Sequence, residues 1–279
     1  MITDNETNKI YFSEKLKTNC PQAHQNIDKV LKSFGLQAEM LQKTNDIWAR
    51  DYMPIQINED EFIEYRYDPD YLQGKFKGLR DLKTYPDIVC DYLNLKTTKT
   101  DIILDGGNVV KSKNCLIMTD KVILENKHHY TKNDLVKKIK ETFRVDELVL
   151  IPWDKLDRYG HSDGILRFIT EDTVLVSEIY EYDDKLLSTL KRNRLKWEFL
   201  RVKIKRQNKW NWAYINFLQT KDLIILPKFD IDEDYKALTQ LEKYYPDYAA
   251  KGRIAQVEIK DIAEMHGALN CISWTIKTN

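Results

Sequence analysis

Residues 102–151 read IILDGGNVVKSKNCLIMTDKVILENKHHYTKNDLVKKIKETFRVDELVLI. Ile102 and Ile103 lead as a strand into Asp105-Gly106-Gly107-Asn108. Apolar runs at 109–110, 115–119 and 121–124 are further strand candidates. Asn133 is placed to cap a helix over 134–143, and 148–151 is a short buried strand. The same alternation extends to either side. Upstream, 28–34 carries helical spacing that Gly35 stops, 53–57 and 61–65 are strands about the turn Asn58-Glu59-Asp60, and 88–93 is helical. Downstream, 166–170 and 173–177 form a hairpin around Glu171-Asp172, and 185–196 is a helix. Residues 211–218 and 223–227 form a strand pair, 234–244 a helix and 254–258 a strand. The segment 271–276 is apolar and alternating. A strand-rich unit followed by a helix thus recurs about every 50 to 60 residues, which suggests an α/β array of repeated units. On periodicity alone a doubly wound sheet fits as well.

The 279 residues, 42% of them hydrophobic, can bury a substantial core, and no Pro-rich or Ser-rich linker divides them. One catalytic domain over 1–279 is the expectation. The 44 basic and 44 acidic residues cancel, so no global field draws the chain to nucleic acid or an anionic membrane. The basic runs 191–194 and 201–206 are interleaved with apolar residues and read as solvated faces. No apolar run approaches the roughly 18 residues of a membrane span, and the first residues lack the basic start and apolar stretch of a secretory signal. Four cysteines without a CxxC pair form neither a disulfide framework nor a zinc site. These features predict a soluble, cytoplasmic protein with reduced thiols. The oligomeric state stays open, and a homodimer is compatible with the sequence.

Four segments place a reactive or charged side chain among small residues: Trp48-Ala49-Arg50-Asp51, Asp105-Gly106-Gly107-Asn108, Gly160-His161-Ser162-Asp163-Gly164 and His266-Gly267-Ala268-Leu269-Asn270-Cys271. Taken singly, each has an ordinary reading: a loop salt bridge, a tight turn, a surface histidine and a buried structural cysteine. If 161–163 is extended, His161 and Asp163 share a face, because strand side chains alternate. Together the segments hold what hydrolysis of a guanidinium requires. That cation is planar and presents five N–H donors in a fixed fork. Binding it away from water calls for carboxylates in its plane, each charge-assisted bond being worth about 1.5–3 kcal/mol. Its resonance-stabilised carbon resists water, whereas a thiolate attacks well and divides the reaction into two easier steps. The departing nitrogen needs a proton, which a histidine supplies.

Trp-Ala-Arg-Asp, Leu-Asp-Gly-Gly-Asn, Gly-His-x-Asp and a late Gly-x-x-x-Cys occur in the order seen in the agmatine deiminase family, which includes the Porphyromonas-type peptidylarginine deiminases. The segment Trp210 to Phe217 resembles that family's strand before the last helix. The resemblance runs from about residue 40 onward. It implies the pentein fold, a five-bladed pseudo-symmetric α/β propeller with the active site in a central channel, and it implies neither metal nor organic cofactor. It further implies that Asp51 and Asp163 grip the guanidinium, that His161 is the general acid/base and that Cys271 is the nucleophile. Asp105 stands where agmatine deiminases carry a glutamate that supports the histidine. Trp48, Arg50 and Asn108 join Asp51 and Asp163 as expected substrate contacts. Two departures bear on the substrate: Tyr52-Met53-Pro54 replaces Thr-Gly-Pro, and Asn270 stands where histidine commonly precedes the cysteine.

The expected partner is a small guanidinium compound, agmatine first, converted to a ureido product and ammonia through a Cys271 thiouronium. The alternatives are a peptidylarginine or free-arginine deiminase, an amidinotransferase that passes the thiouronium to an amine, and a guanidine-binding protein that has lost catalysis. A papain-like protease fits poorly, since its cysteine normally precedes its histidine. Adjacent His128 and His129 diverge and would chelate a metal poorly. His24 and His266 are expected on the surface or in loops.

Overall fold

The computed structural model describes residues 1–73, 77–203 and 210–279. Fifteen strands are found among the described residues: β1 (Lys9–Ser13), β2 (Ala38–Leu41), β3 (Ile55–Asn58), β4 (Glu61–Arg66), β5 (Thr98–Ile103), β6 (Val110–Lys111), β7 (Cys115–Thr119), β8 (Glu147–Ile151), β9 (Leu166–Phe168), β10 (Thr173–Ser177), β11 (Lys196–Leu200), β12 (Leu218–Gln219), β13 (Ile224–Lys228), β14 (Ile254–Glu258) and β15 (Ser273–Ile276). They form five three-stranded sheets with one wiring pattern. The first strand pairs antiparallel with the second, and a helical crossover returns the third parallel to the second. The crossover helices are Pro21–Ser33, Pro86–Tyr92, Lys132–Phe143, Asp184–Arg192 and Asp232–Tyr244. One sheet is assembled from distant segments: β15 pairs with β1, Lys9 opposite Ile276, and β1 pairs with β2.

The middle strands β7, β10 and β13 are covered on both faces, which explains their nearly uninterrupted apolar runs. In β7, Leu116 and Met118 pack with Leu135, Ile139 and Phe143 of the unit's own crossover helix. Cys115 and Ile117 pack with Val174, Val176, Leu186 and Leu190 of the next unit. The period-2 alternation of a strand therefore links neighbouring units into a ring.

A short helical turn precedes the first strand of every sheet: Ala49–Tyr52, Gly106–Asn108, Ser162–Gly164, Asn211–Ile215 and Leu269–Ile272. Ala49–Tyr52 touches both Leu269–Ile272 and Gly106–Asn108, which touches Ser162–Gly164, which touches Asn211–Ile215. The ring closes where the amide N–H of Asn270 reaches Asn216 Oδ1 at 3.1 Å. All four sequence motifs lie on this inner ring of turns.

The sheet-helix recurrence matches the expected spacing, while several local readings are corrected. Residues 121–124 are not a strand but part of the helix Lys121–Asn126. The Asn126 amide holds that helix by donating to Val122 O and Ile103 O, 2.9 and 2.7 Å. The cap of the next helix is Thr131, which accepts from the Asp134 N–H at 3.3 Å, not Asn133. The helix expected over 185–196 ends at Arg192; Arg194 is left-handed, at φ 59°, and Lys196 opens β11. Residues 211–215 form a 3-10 turn, so only β12 pairs there. Strands β1 and β2 were not anticipated. Of the basic run 201–206, residues 204–206 lie outside the described residues. Among the described residues, no helix is long and apolar enough to cross a membrane.

Candidate active site

Asp51 sits in the first turn, 6% exposed. The Tyr65 hydroxyl donates to the backbone oxygens of Asp51 and Met53, 2.6 and 3.0 Å, and so fixes that turn. Asp51 Oδ1 accepts from the Gly107 N–H at 3.1 Å. The paired glycines are required by proximity. A Cβ on Gly106 would lie 2.0 Å from Arg50 O, and one on Gly107 would lie 2.5 Å from His161 Nδ1 and 2.6 Å from Asp51 Oδ1.

His161 is not on an extended segment shared with Asp163, since Ser162–Gly164 is a turn and His161 is its N-cap. The two are brought to the site by the turn instead. The Asp157 carboxylate receives the N–H groups of Tyr159, Gly160 and His161, at 2.9, 2.9 and 3.3 Å, and shapes the approach. His161 Nε2 lies 3.0 Å from Asp105 Oδ2, and Nδ1 lies 3.7 Å from Asp51 Oδ1. The Tyr71 hydroxyl donates to the same Asp105 oxygen at 3.2 Å. Asp105 therefore supports the histidine despite its short side chain.

Cys271 lies in the last turn, just ahead of β15, and its sulfur faces polar groups. Sγ is 3.3 Å from Asn216 Oδ1 and 3.9 Å from Asp163 Oδ2. That Asp163 oxygen also accepts from the Asn270 amide at 2.7 Å. Asn216 was not foreseen. Its Oδ1 accepts from the N–H groups of Asn270 and Cys271, 3.1 and 3.2 Å, and its amide donates to Asp163 O at 3.3 Å.

Trp48, Asp51, His161 and Cys271 line one cavity of about 130 Å³. Tyr67, Tyr71, Tyr159, Leu72 and Leu79 complete its walls, and Arg158, Met265 and His266 also border it. His266 is an exposed loop residue, as expected, but it borders the site. Trp48 fits because Gly267 carries no Cβ; one would fall 2.0 Å from the indole. Asp105 and Asp163 are each 2% exposed, and the Asp163 carboxylate reaches the site beside the Cys271 sulfur, 3.9 Å away. Two expected substrate contacts are corrected. Arg50 lines a different cavity, with Gln56, Val109, Lys111 and Thr275, and its Nε donates to Asn270 O at 3.3 Å. The Asn108 amide is committed to the Thr119 backbone, accepting its N–H at 2.7 Å.

Three carboxylates surrounding one imidazole set the electrostatics. Burial works against a charge on His161, but the Asp51 carboxylate and the bond to Asp105 outweigh it and raise its pKa to about 10. Burial lifts Asp51 to about 8, opposed by His161 and reinforced by Asp105 and Asp163. Burial, then Asp163 and Asp51, push the Cys271 thiol well above its ordinary range. The site is thus acidic and keeps the Cys271 sulfur as a thiol.

The sequence profile of the Porphyromonas-type peptidyl-arginine deiminases matches residues 4–276. The chain belongs to that family. A Lactococcus lactis relative, provisionally named an agmatine deiminase, is 24% identical over 278 residues, covering 82% of this chain and 74% of its own. The agmatine deiminase of C. jejuni superposes with a TM-score of 0.77 at 18% identity, covering 99% of this chain and 96% of that one. DDAH from Pseudomonas aeruginosa, solved as a cysteine-to-serine variant with citrulline, superposes at 0.57 and 10% identity, over 96% and 99% of the two chains. The peptidyl-arginine deiminase family member described here thus has the pentein fold expected from its motifs, its five sheets being the blades of the propeller.

Proposed function

We propose that this chain is a hydrolase that deiminates a small guanidinium compound, with agmatine as the substrate and Cys271 as the nucleophile. One observation carries the reading: Cys271, His161 and Asp51 meet in one narrow cavity with aromatic walls. The narrow, aromatic-walled cavity admits an extended guanidinium side chain end-on, with the flat cation toward Cys271. Two agmatine deiminase comparisons support the choice, one of them a C. jejuni cysteine-to-serine variant with substrate bound. The whole chain acts as one catalytic unit, as a soluble enzyme.

Asp51 and Asp163 hold the guanidinium with its carbon toward Sγ. A unit charge ~4 Å away is worth roughly 4 kcal/mol at an effective dielectric of ~20, or about three pK units. The substrate's charge therefore offsets the two acids that disfavour the thiolate, and the thiol proton passes to solvent. Sulfur attacks the carbon, His161 gives its proton to the departing nitrogen, and the C–N bond breaks to release ammonia. The product is an S-alkylthiouronium, with His161 neutral. His161 then takes a proton from water, oxygen bonds to carbon, and the C–S bond breaks. The second water proton returns to sulfur, leaving the ureido product and the starting enzyme.

The test is ammonia and ureido-product formation from agmatine, free arginine and a peptidyl arginine, with no amine acceptor present. Turnover of agmatine is expected, with no turnover in Cys271→Ala. Ammonia release that requires an added amine would instead make the protein an amidinotransferase, and undiminished activity in Cys271→Ala would exclude the mechanism.

A further inference from the structure

Arg50 comes from one of the four motifs, yet its side chain lines a cavity that excludes Cys271 and His161. The same cavity is lined by Lys111, which also borders a separate pocket of about 210 Å³ with Asp4, Ser112 and Arg167. The side chains of Lys111 and Arg167 are only 8% and 4% exposed. One inner carboxylate, Asp4, faces both cations. Arg167 pairs with it at 2.7 Å and also donates to Phe217 O at 2.8 Å. Lys111 Nζ lies 3.7 Å from Asp4 Oδ1, beyond hydrogen-bond reach. The Ser112 hydroxyl, in a residue 3% exposed, has no hydrogen-bond partner among the described residues.

The charges are unevenly layered. The other pocket acids, Glu6 and Glu171, are engaged elsewhere: Glu6 accepts from Thr3, and Glu171 accepts from the Lys113 N–H at 3.0 Å. The inner layer carries Lys111 and Arg167 against Asp4 alone, and the half-buried Arg50 of the neighbouring cavity adds its charge from outside the pocket. Burial opposes ionisation of Asp4, but Lys111, Arg167 and Arg50 together hold it down at about 2. Burial lowers Lys111, and Arg50 and Arg167 add to the effect, while Asp4 opposes it. A buried excess of cations is costly unless compensated by an anion.

We propose that this second pocket binds a small oxyanion of the phosphate type, held by Lys111 Nζ, the Arg167 guanidinium and the Ser112 hydroxyl. A tetrahedral oxyanion has acceptors for all three donors, and its charge balances the inner layer. Asp4 competes with it for the same cations.

The experiment is calorimetric titration of the full chain with inorganic phosphate at fixed ionic strength, with thermal melting as the second readout. Wild type is expected to bind one phosphate saturably and to melt at a higher temperature when loaded. Lys111→Met should weaken binding at least tenfold and Ser112→Ala severalfold, whereas Asp4→Asn should tighten it severalfold. Binding should persist in Cys271→Ala and in the presence of agmatine. If Lys111→Met does not fold, Ser112→Ala and Asp4→Asn still decide the matter. No saturable binding by wild type, weaker binding in Asp4→Asn, no change in Ser112→Ala, or displacement by agmatine would each overturn the proposal.

Discussion

Replacing Asp105 by Asn keeps the shape and the hydrogen-bond acceptor beside His161 but removes a charge. The carboxylate oxygen is 3.0 Å from Nε2, and both groups are buried. At an effective dielectric of ~20, a charge at ~4 Å is worth roughly 4 kcal/mol, or about three pK units. Asp51 remains 3.7 Å from Nδ1 and retains part of the effect. The imidazolium should therefore lose its proton about two to three pH units earlier than in wild type. In wild type, kcat/KM should rise as Asp51 ionises near 8 and fall as His161 loses its proton near 10. In Asp105→Asn both limbs move to lower pH, the alkaline one further, because Asp105 also raises Asp51. Stability follows the same sign. With its pKa raised above 6.5 in the folded state, His161 contributes stability that is complete below about 6.5 and lost as pH rises through about 10. The variant should lose that contribution at lower pH. The assay is the pH profile of kcat/KM together with the NMR titration of His161. An alkaline limb and a His161 titration both within half a pH unit of wild type would refute the charge-pair argument.

Asn216→Ala removes the acceptor that orients the Cys271 N–H and should cost about 1–3 kcal/mol of stability for the polar group left unpaired. It should also lower kcat by on the order of 100-fold through misplacement of the sulfur; denaturant melts and initial rates check both. Asn216→Asp keeps an acceptor for the two N–H groups but loses the donor to Asp163 O and places a negative charge 3.3 Å from Sγ, so both kcat and melting temperature should fall. Because two acids and burial hold Cys271 as a thiol, a neutral haloacetamide should label it slowly at pH 7. A haloacetamidine of the same size, carrying a positive charge, should label it at least tenfold faster, as peptide mass spectrometry would show.

The candidate site was legible because it is built from residue types that have few substitutes. A cysteine, a histidine and three aspartates on four ordered motifs could be read directly, and the structure gathers them on successive turns of one ring. What escaped was whatever depends on position around the ring. Arg50 adjoins Asp51 in sequence, but neighbours on a helical turn point apart, and it lines another cavity. Asn108 was among the expected substrate contacts, yet its amide serves the β7 end. Asn216 caps the fourth turn at its C-terminus, within a segment whose Trp and Tyr content reads as strand. Nothing local reveals that its amide spans from Asp163 to Cys271. The helix expected over 185–196 overlaps β11 only at Lys196; the Lys-Trp-Glu-Phe alternation that follows carries charges that mask a strand. The paired glycines permit a close approach whose partners, Arg50 O, His161 and Asp51, nothing in the local sequence reveals.

The most direct test of the account is whether a guanidine carbon becomes bonded to the Cys271 sulfur during turnover. Agmatine mixed with enzyme, quenched in acid within a few turnovers and digested, should give a Cys271 peptide heavier by agmatine less ammonia. Cys20, Cys90 and Cys115, all buried, should remain unmodified. Turnover at full rate with no adduct on Cys271 under any quench time, or the adduct on another residue, would contradict the assignment.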